Sequence, residues 1–320
     1  MKKTVLVFCL ALAGAVCAFL FLRGTATVTD YAMDTVITIT ASGKGTQKSV
    51  KTKINKAIAE IRRIDSLMSI SSPKSDIKKI NSSKKGEYTV VSPEVFSLIE
   101  LCTEVSSSSG GAFDITVNPL SEMWDFTSDS PTVPQKREIN RTLSSVDYRK
   151  IKFNKKNSSI ALAGDNMSIT LGAVAKGYAA DRAAQILISE GITAAIIDLG
   201  GNIYALGEKR IGIQTPFKKR GEYFSVCNVK NTSVVTCGSY ERYFEADGKI
   251  YHHILNPETG YPADSGLKSV TVIGENSALA DALSTTIFVL GKDKAEEFLS
   301  FYPQFGAKLL TEDDEVIDIK

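Results

Sequence analysis

The chain has 320 residues, 43% of them hydrophobic and 23% charged, which excludes disordered, collagen-like and multi-span membrane classes. With 38 basic and 36 acidic residues the formal charge is +2, so nothing electrostatic points to nucleic acid as a partner. Five cysteines without a CxxC exclude a disulfide framework or a zinc module, and two histidines leave few candidates for imidazole chemistry.

Lys2-Lys3 precede an uninterrupted apolar run from Thr4 to Leu22, closed by Arg23 and Gly24. As a helix this run would span about 28 Å, close to the hydrocarbon thickness of a bilayer. It is long for a signal-peptide core and no A-x-A site follows, so residues 1–24 read first as an uncleaved signal anchor. The alternatives are a cleaved signal peptide, or lipidation at Cys17 in the loose lipobox Gly14-Ala15-Val16-Cys17. In each case the positive N-terminus predicts that residues 25–320 are extracytoplasmic, held at the cytoplasmic membrane where the segment is retained or lipidated. Cys102, Cys227 and Cys237 read as small buried hydrophobes rather than nucleophiles.

Beyond the run, Thr35–Thr40 alternates as a strand. A helix follows from Thr46, with Val50, Ile54, Ile58, Ile61, Ile64 and Met68 at steps of three and four. After a Ser/Pro-rich loop from Ser69 to Ser75, Ser92 and Pro93 start a second helix that Gly110-Gly111 ends. Thr127 to Pro134 is a polar loop, and strands are predicted near Lys150–Phe153 and Ser158–Leu162. A helix spans Ala173 to Ser189, and a buried strand Ala194–Leu199 leads into Gly200-Gly201. Two β-runs around Asp247-Gly248 predict a hairpin. Val270–Ile273 is a strand, and helices run from Ser277 to Leu290 and from Asp293 to Tyr302. Strands and helices mix without strict alternation, so the class is α+β, in one unit with two lobes.

Four glycine-containing segments stand out: Gly110–Asp114, Leu171–Asp181, Asp198–Asn202 and His252–Pro262. Glycine at a loop-to-helix junction lets the backbone approach a phosphate, and Lys176 lies one turn inside such a helix. The same pattern also describes ordinary close helix packing. Asp281 and Thr285, four apart on a helix, present two oxygens on one side, a set that suits Mg²⁺ but equally a capping acid and a core threonine. His252 and His253 would point to opposite faces of a strand, so only one can enter a given cleft, as a base or as a structural contact.

Taken in order, these segments resemble the flavin transferases of the ApbE family. The resemblance runs from Met33-Asp34-Thr35 through Ser75-Asp76-Ile77 with Asn81, Gly111–Asp114, Leu171-Gly172-Ala173 with Lys176-Gly177-Tyr178 and Asp181, and Gly200-Gly201-Asn202. It continues through Thr236-Cys237-Gly238 with Tyr240, His253-Ile254 with Thr259–Pro262, and Ala280-Asp281-Ala282 with Thr285, ending at Gly291. It implies a two-lobed α+β fold with mixed sheets and packed helices. The implied activity is Mg²⁺-dependent transfer of FMN from FAD to a threonine of an exported flavoprotein, such as a membrane redox-pump subunit, releasing AMP. Mg²⁺ is expected on Asp281, Thr285 and the Ala173 carbonyl. FAD is expected at Met33, Ser71, Ala112, Phe113, Asp114, Thr170, Lys176 and Ile254, and His253 and Lys176 are the expected catalytic residues. Three positions depart from the family: Ser71 stands where an aromatic residue stacks on or gates the flavin site, Thr170 replaces a carboxylate, and Cys237 replaces a frequent serine. An open Ser71 loop would admit water, so FAD hydrolysis to FMN and AMP is the alternative activity, and flavin binding without turnover a third.

Overall fold

The computed structural model describes residues 23–219 and 221–320; the apolar run Thr4–Leu22, and with it the expected anchor and Cys17, lies outside the described residues. Among the described residues no helix is long and apolar enough to cross a membrane. Arg23 and Gly24 begin strand β1 (Arg23–Ala32), which pairs with β2 (Thr35–Lys44) through a two-residue turn. β1 escapes a periodicity reading because two of its buried positions, Ala26 and Ala32, are small and carry little apolar signal.

Helix α1 (Gln47–Met68) starts where expected. The Thr46 hydroxyl accepts the Ser49 N–H at 3.2 Å, and the predicted isoleucine stripe is buried. Helix α2 (Asp76–Ser82) follows, and then α3 (Pro93–Ser108), capped by Ser92. Helices α4 (Asn118–Trp124) and α5 (Lys136–Leu143), like α2, add to the predicted elements. Each is about two turns long, too short for a 3.6-residue period to declare itself. A small sheet orders its strands β3 (Thr89–Val90), β5 (Ser159–Leu162) and β4 (Ile151–Asn154).

The main sheet adds β6 (Ile192–Leu199), β7 (Asn202–Gln214), β8 (Tyr223–Gly238), β11 (Leu267–Gly274), β12 (Gly306–Thr311) and β13 (Val316–Ile319), in the order β1-β2-β6-β7-β8-β11-β12-β13. Helices α1, α6 (Ala175–Ser189) and α7 (Ser277–Leu290) pack on it over the main hydrophobic core, and α8 (Lys292–Leu299) lies beside α7. Every strand pairing among the described residues is antiparallel, which corrects the expectation of mixed sheets. The long connections explain this. β11 reaches β12 through two helices and β8 reaches β11 through a hairpin, so the single crossover helix of a parallel βαβ unit is absent among the described residues.

That hairpin, β9 (Tyr243–Ala246) and β10 (Lys249–His252), turns at Asp247-Gly248 with φ of 51° and 72°, as the dipeptide predicted. It forms a second lobe with α4 and α5, where Leu120, Trp124, Ile139 and Leu255 are buried under Phe244, Tyr251 and Tyr261. The Trp124 indole donates to the Gly260 carbonyl at 2.9 Å and so ties down the loop that begins at His253.

Candidate functional site

Two tight turns, two helix starts and the His253 loop converge at one end of the main sheet. Met33 and Asp34 turn β1 into β2 with φ of 54° and 56°, the left-handed values that a two-residue hairpin demands and that cost a non-glycine residue about 1–2 kcal/mol. Asp65 near the end of α1 steadies the turn by accepting the Met33 N–H at 3.0 Å. Gly200-Gly201 turn β6 into β7 in the same way, and a Cβ on Gly200 would lie 2.1 Å from the Thr35 hydroxyl. The two turns therefore touch, which only glycine allows.

The Gly-Gly turn delivers Asn202 to Asp281. Asp281 is only 6% exposed, and its Oδ2 accepts from Asn202 Nδ2 at 2.8 Å and from the Gly177 N–H at 3.0 Å. In an uninterrupted helix that N–H would point at the Ala173 carbonyl, four residues back. Burial raises the Asp281 pKa, opposed first by the Lys176 charge and then by those two donors. Thr285 lies one turn along α7, its hydroxyl 3.7 Å from Cys237 Sγ. Asp281, with Thr285 one turn on, is thus brought to Gly177 at the start of α6, four residues after Ala173. Both protein donors to Asp281 fall on Oδ2, which leaves Oδ1 for a cation, and an all-oxygen set of this kind fits Mg²⁺. No group of three or more His, Cys, Asp or Glu side chains able to hold a metal occurs among the described residues.

The two histidines divide as their strand alternation predicted. His252 is buried, bonds the Ala263 carbonyl through Nε2 at 3.1 Å, and accepts the Ile254 N–H at Nδ1. His253 is half-buried, and its Nδ1 lies 3.3 Å from the Arg242 carbonyl, which also accepts the His253 N–H at 3.0 Å. A carbonyl can only accept, so Nδ1 carries the proton and Nε2 keeps its lone pair. Burial first, then the Lys176 and Arg242 charges, push the His253 pKa down to about 3, so the ring is neutral at physiological pH.

The other expected FAD residues are placed less uniformly. The Thr170 N–H donates to the Ile115 carbonyl at 2.9 Å, joining the Ala112–Asp114 segment to the chain that leads into α6. Within that segment Phe113 is part of the core. The Asp114 carboxylate is spent on the chain itself, accepting from the Thr116 N–H and hydroxyl and from the Tyr148 N–H. Ile254 is buried beside His253. Ser71 is exposed and bonds within its own loop, Oγ to Ser69 Oγ at 2.9 Å; that loop follows α1, whose Asp65 holds Met33. The thiols of Cys102, Cys227 and Cys237 all have pKa values raised by burial, as expected of inert cysteines.

Three residues stand at the site without having been given a role by sequence reasoning. Asn202 and Asp181 stood among the family markers without a function, and Glu241 was not singled out at all. Glu241 extends over the Gly-Gly turn, its Oε1 3.2 Å from where a Gly201 Cβ would lie. Asp181 accepts the Ser277 and Ala278 N–H groups at the start of α7, both at 3.0 Å, and burial raises its pKa to about 6.

Comparison with known proteins gives the family. The family model described as ApbE family matches residues 33–307. A Klebsiella pneumoniae protein named FAD:protein FMN transferase is 35% identical over 257 residues, covering 80% of this chain and 81% of that protein. A Treponema pallidum protein of the same name is 30% identical over 317 residues, covering 92% and 88%. The crystal structure of an ApbE protein from Thermotoga maritima superposes with a TM-score of 0.84 at 33% identity, covering 92% of this chain and 97% of that one. The chain belongs to the ApbE family.

Proposed function

We propose that this protein transfers FMN from FAD to a threonine hydroxyl of an exported acceptor protein and releases AMP. The name shared by its relatives supports an FAD:protein FMN transferase. The observation that carries the mechanism is the neutral His253, held by the Arg242 carbonyl through Nδ1 with Nε2 left as an acceptor. Nε2 takes the proton of the acceptor hydroxyl as its oxygen bonds to the FMN phosphorus. The bond from that phosphorus to the bridging oxygen breaks, and AMP leaves with the oxygen. Lys176, close enough to oppose the raised pKa of Asp281, sets positive charge against the diphosphate. Asp281, Thr285 and the Ala173 carbonyl would hold Mg²⁺, which when bound neutralises developing charge on the phosphates. Gly172 and Gly177 let the backbone approach the same region. The lysine-led apolar run at residues 2–22 supports an extracytoplasmic site of action at the membrane.

Hydrolysis of FAD to FMN and AMP is the second reading, favoured by the exposed Ser71, which leaves no aromatic cover at that position. A flavin binder without turnover has no need of a preformed base beside a cation site. The test is to incubate the protein with FAD, Mg²⁺ and a threonine-containing acceptor domain, following AMP and acceptor mass together. An FMN-sized mass gain matching the AMP released is the expected result. AMP and free FMN without mass gain would make the protein a hydrolase, and FAD bound without either product would make it a binder. Ser71→Tyr should lower the share of FMN released free in solution.

A further inference from the structure

Helices α6 and α7 cap each other. Asp281 of α7 accepts the Gly177 N–H at the start of α6, and Asp181 of α6 accepts the Ser277 and Ala278 N–H groups at the start of α7, all at 3.0 Å. Each carboxylate thus satisfies orphan donors of the other helix and meets the positive end of its dipole. The helices meet backbone to backbone at this point, because a Cβ on Gly177 would lie 2.2 Å from the Ser277 carbonyl oxygen. Asn276 adds its own cap to α7, accepting the Leu279 N–H at 2.9 Å, so Asp181 is not needed merely to start that helix. What Asp181 adds is a second tie, beside Asp281 on Gly177, that sets the register of α7 against α6. That register fixes where Asp281 and Thr285 stand relative to Ala173 and Lys176.

We infer that Asp181 is a positioning residue for the divalent cation: through the reciprocal clasp it holds the carboxylate and hydroxyl of α7 at the distance from α6 that cation binding requires. This inference rests on the reading of Asp281, Thr285 and Ala173 as the Mg²⁺ site. An ordinary helix cap at this position would affect stability and leave the cation alone.

The test compares full-length wild type, Asp181→Asn, Asp181→Glu and Leu309→Val, the last a stability control in buried β12. The rise in Tm of the FAD-loaded protein on Mg²⁺ titration gives a half-saturating concentration for each. Amide exchange at Gly177, Ser277 and Ala278 is read in the metal-free protein. Asp181→Asn should raise half-saturating Mg²⁺ by about tenfold or more, the scale seen for supporting residues around metal ligands. It should also speed exchange at Gly177, whose N–H the Asp181 carboxylate does not accept, while FAD binding without Mg²⁺ is unchanged. Asp181→Glu, which keeps the carboxylate, should recover part of the cation response, and Leu309→Val should leave it intact. Wild-type Mg²⁺ dependence in Asp181→Asn, or exchange altered only at Ser277 and Ala278, would overturn the inference. A wild type without any Mg²⁺ response would overturn the cation reading and the inference with it. The metal-free exchange at Gly177 then tells whether the clasp exists independently.

Discussion

The two faces of α6 differ in how their polar groups are used. The face toward Tyr178, Arg182 and Ile188 borders an open groove of about 660 Å³ against α3 and the start of α7. Glu94 and Arg182 on it are paired: Arg63 bonds Glu60 and Glu94, each at 2.8 Å, Arg182 bonds Glu60 at 3.2 Å, and the Tyr178 hydroxyl donates to Glu94 at 2.8 Å. The opposite face, with Lys176, meets a raised carboxyl, a neutral histidine and a hydroxyl on a thiol. Volume marks the first face and spare bonding capacity the second. Chemistry belongs where donors and acceptors are positioned but not consumed.

Breaking the Lys176 face should cost far more activity than breaking the groove. The largest effect is expected from His253→Ala: loss of transfer by about 10²–10⁴ with FAD binding retained, read from AMP release and equilibrium dialysis. Lost FAD binding would instead make His253 a ligand contact. Asp281→Asn comes next, with transfer down about 100-fold. Thermal stability should not fall in this variant, because an amide oxygen still accepts from Gly177 and Asn202 without the burial cost that raises the Asp281 pKa. Gly177→Ala should cost about 1–3 kcal/mol in denaturant unfolding, since its Cβ meets the Ser277 carbonyl.

On the groove side Glu94→Gln should cost about 1 kcal/mol or less and leave turnover unchanged, because the ion pairs there are partly exposed. Glu60 and Glu94 have pKa values lowered chiefly by bonds to Arg63. Their stabilisation is therefore present above the unfolded value near 4.5 and is lost as pH falls below it through the folded values. Urea melts of wild type and Glu94→Gln should converge below that pH.

Long periodic elements and tight turns were legible in the sequence. The α1 stripe, the Ser92-Pro93 start of α3, the Asp247-Gly248 hairpin and the opposed histidines all follow from local spacing. The long β7–β8 pair was not, because bulges between Ala205 and Glu208 and between Ile213 and Gln214 break its alternation. The site's residues could be named as a set, yet not their working contacts: Asn202 to Asp281, Asp181 to Ser277, His253 to Arg242. Only the first two pairs involve long-range partners that periodicity never encodes. The third depends on a backbone carbonyl, which sequence does not distinguish from any other. Ser71 shows the reverse case, a departure visible in the sequence whose consequence depends on what covers the site.

The central claim is that the substrate and its cation use the Lys176 face of α6 and leave the groove beside Tyr178 and Arg182 empty. A crystal structure with FAD and Mn²⁺, with the metal located by its anomalous signal, tests this directly. The account predicts a peak within bonding distance, about 2.0–2.3 Å, of Asp281 Oδ1, Thr285 Oγ1 and the Ala173 carbonyl oxygen, with the diphosphate facing Lys176 and His253. A metal or flavin seated instead between Glu94, Arg182 and Tyr204 would contradict it.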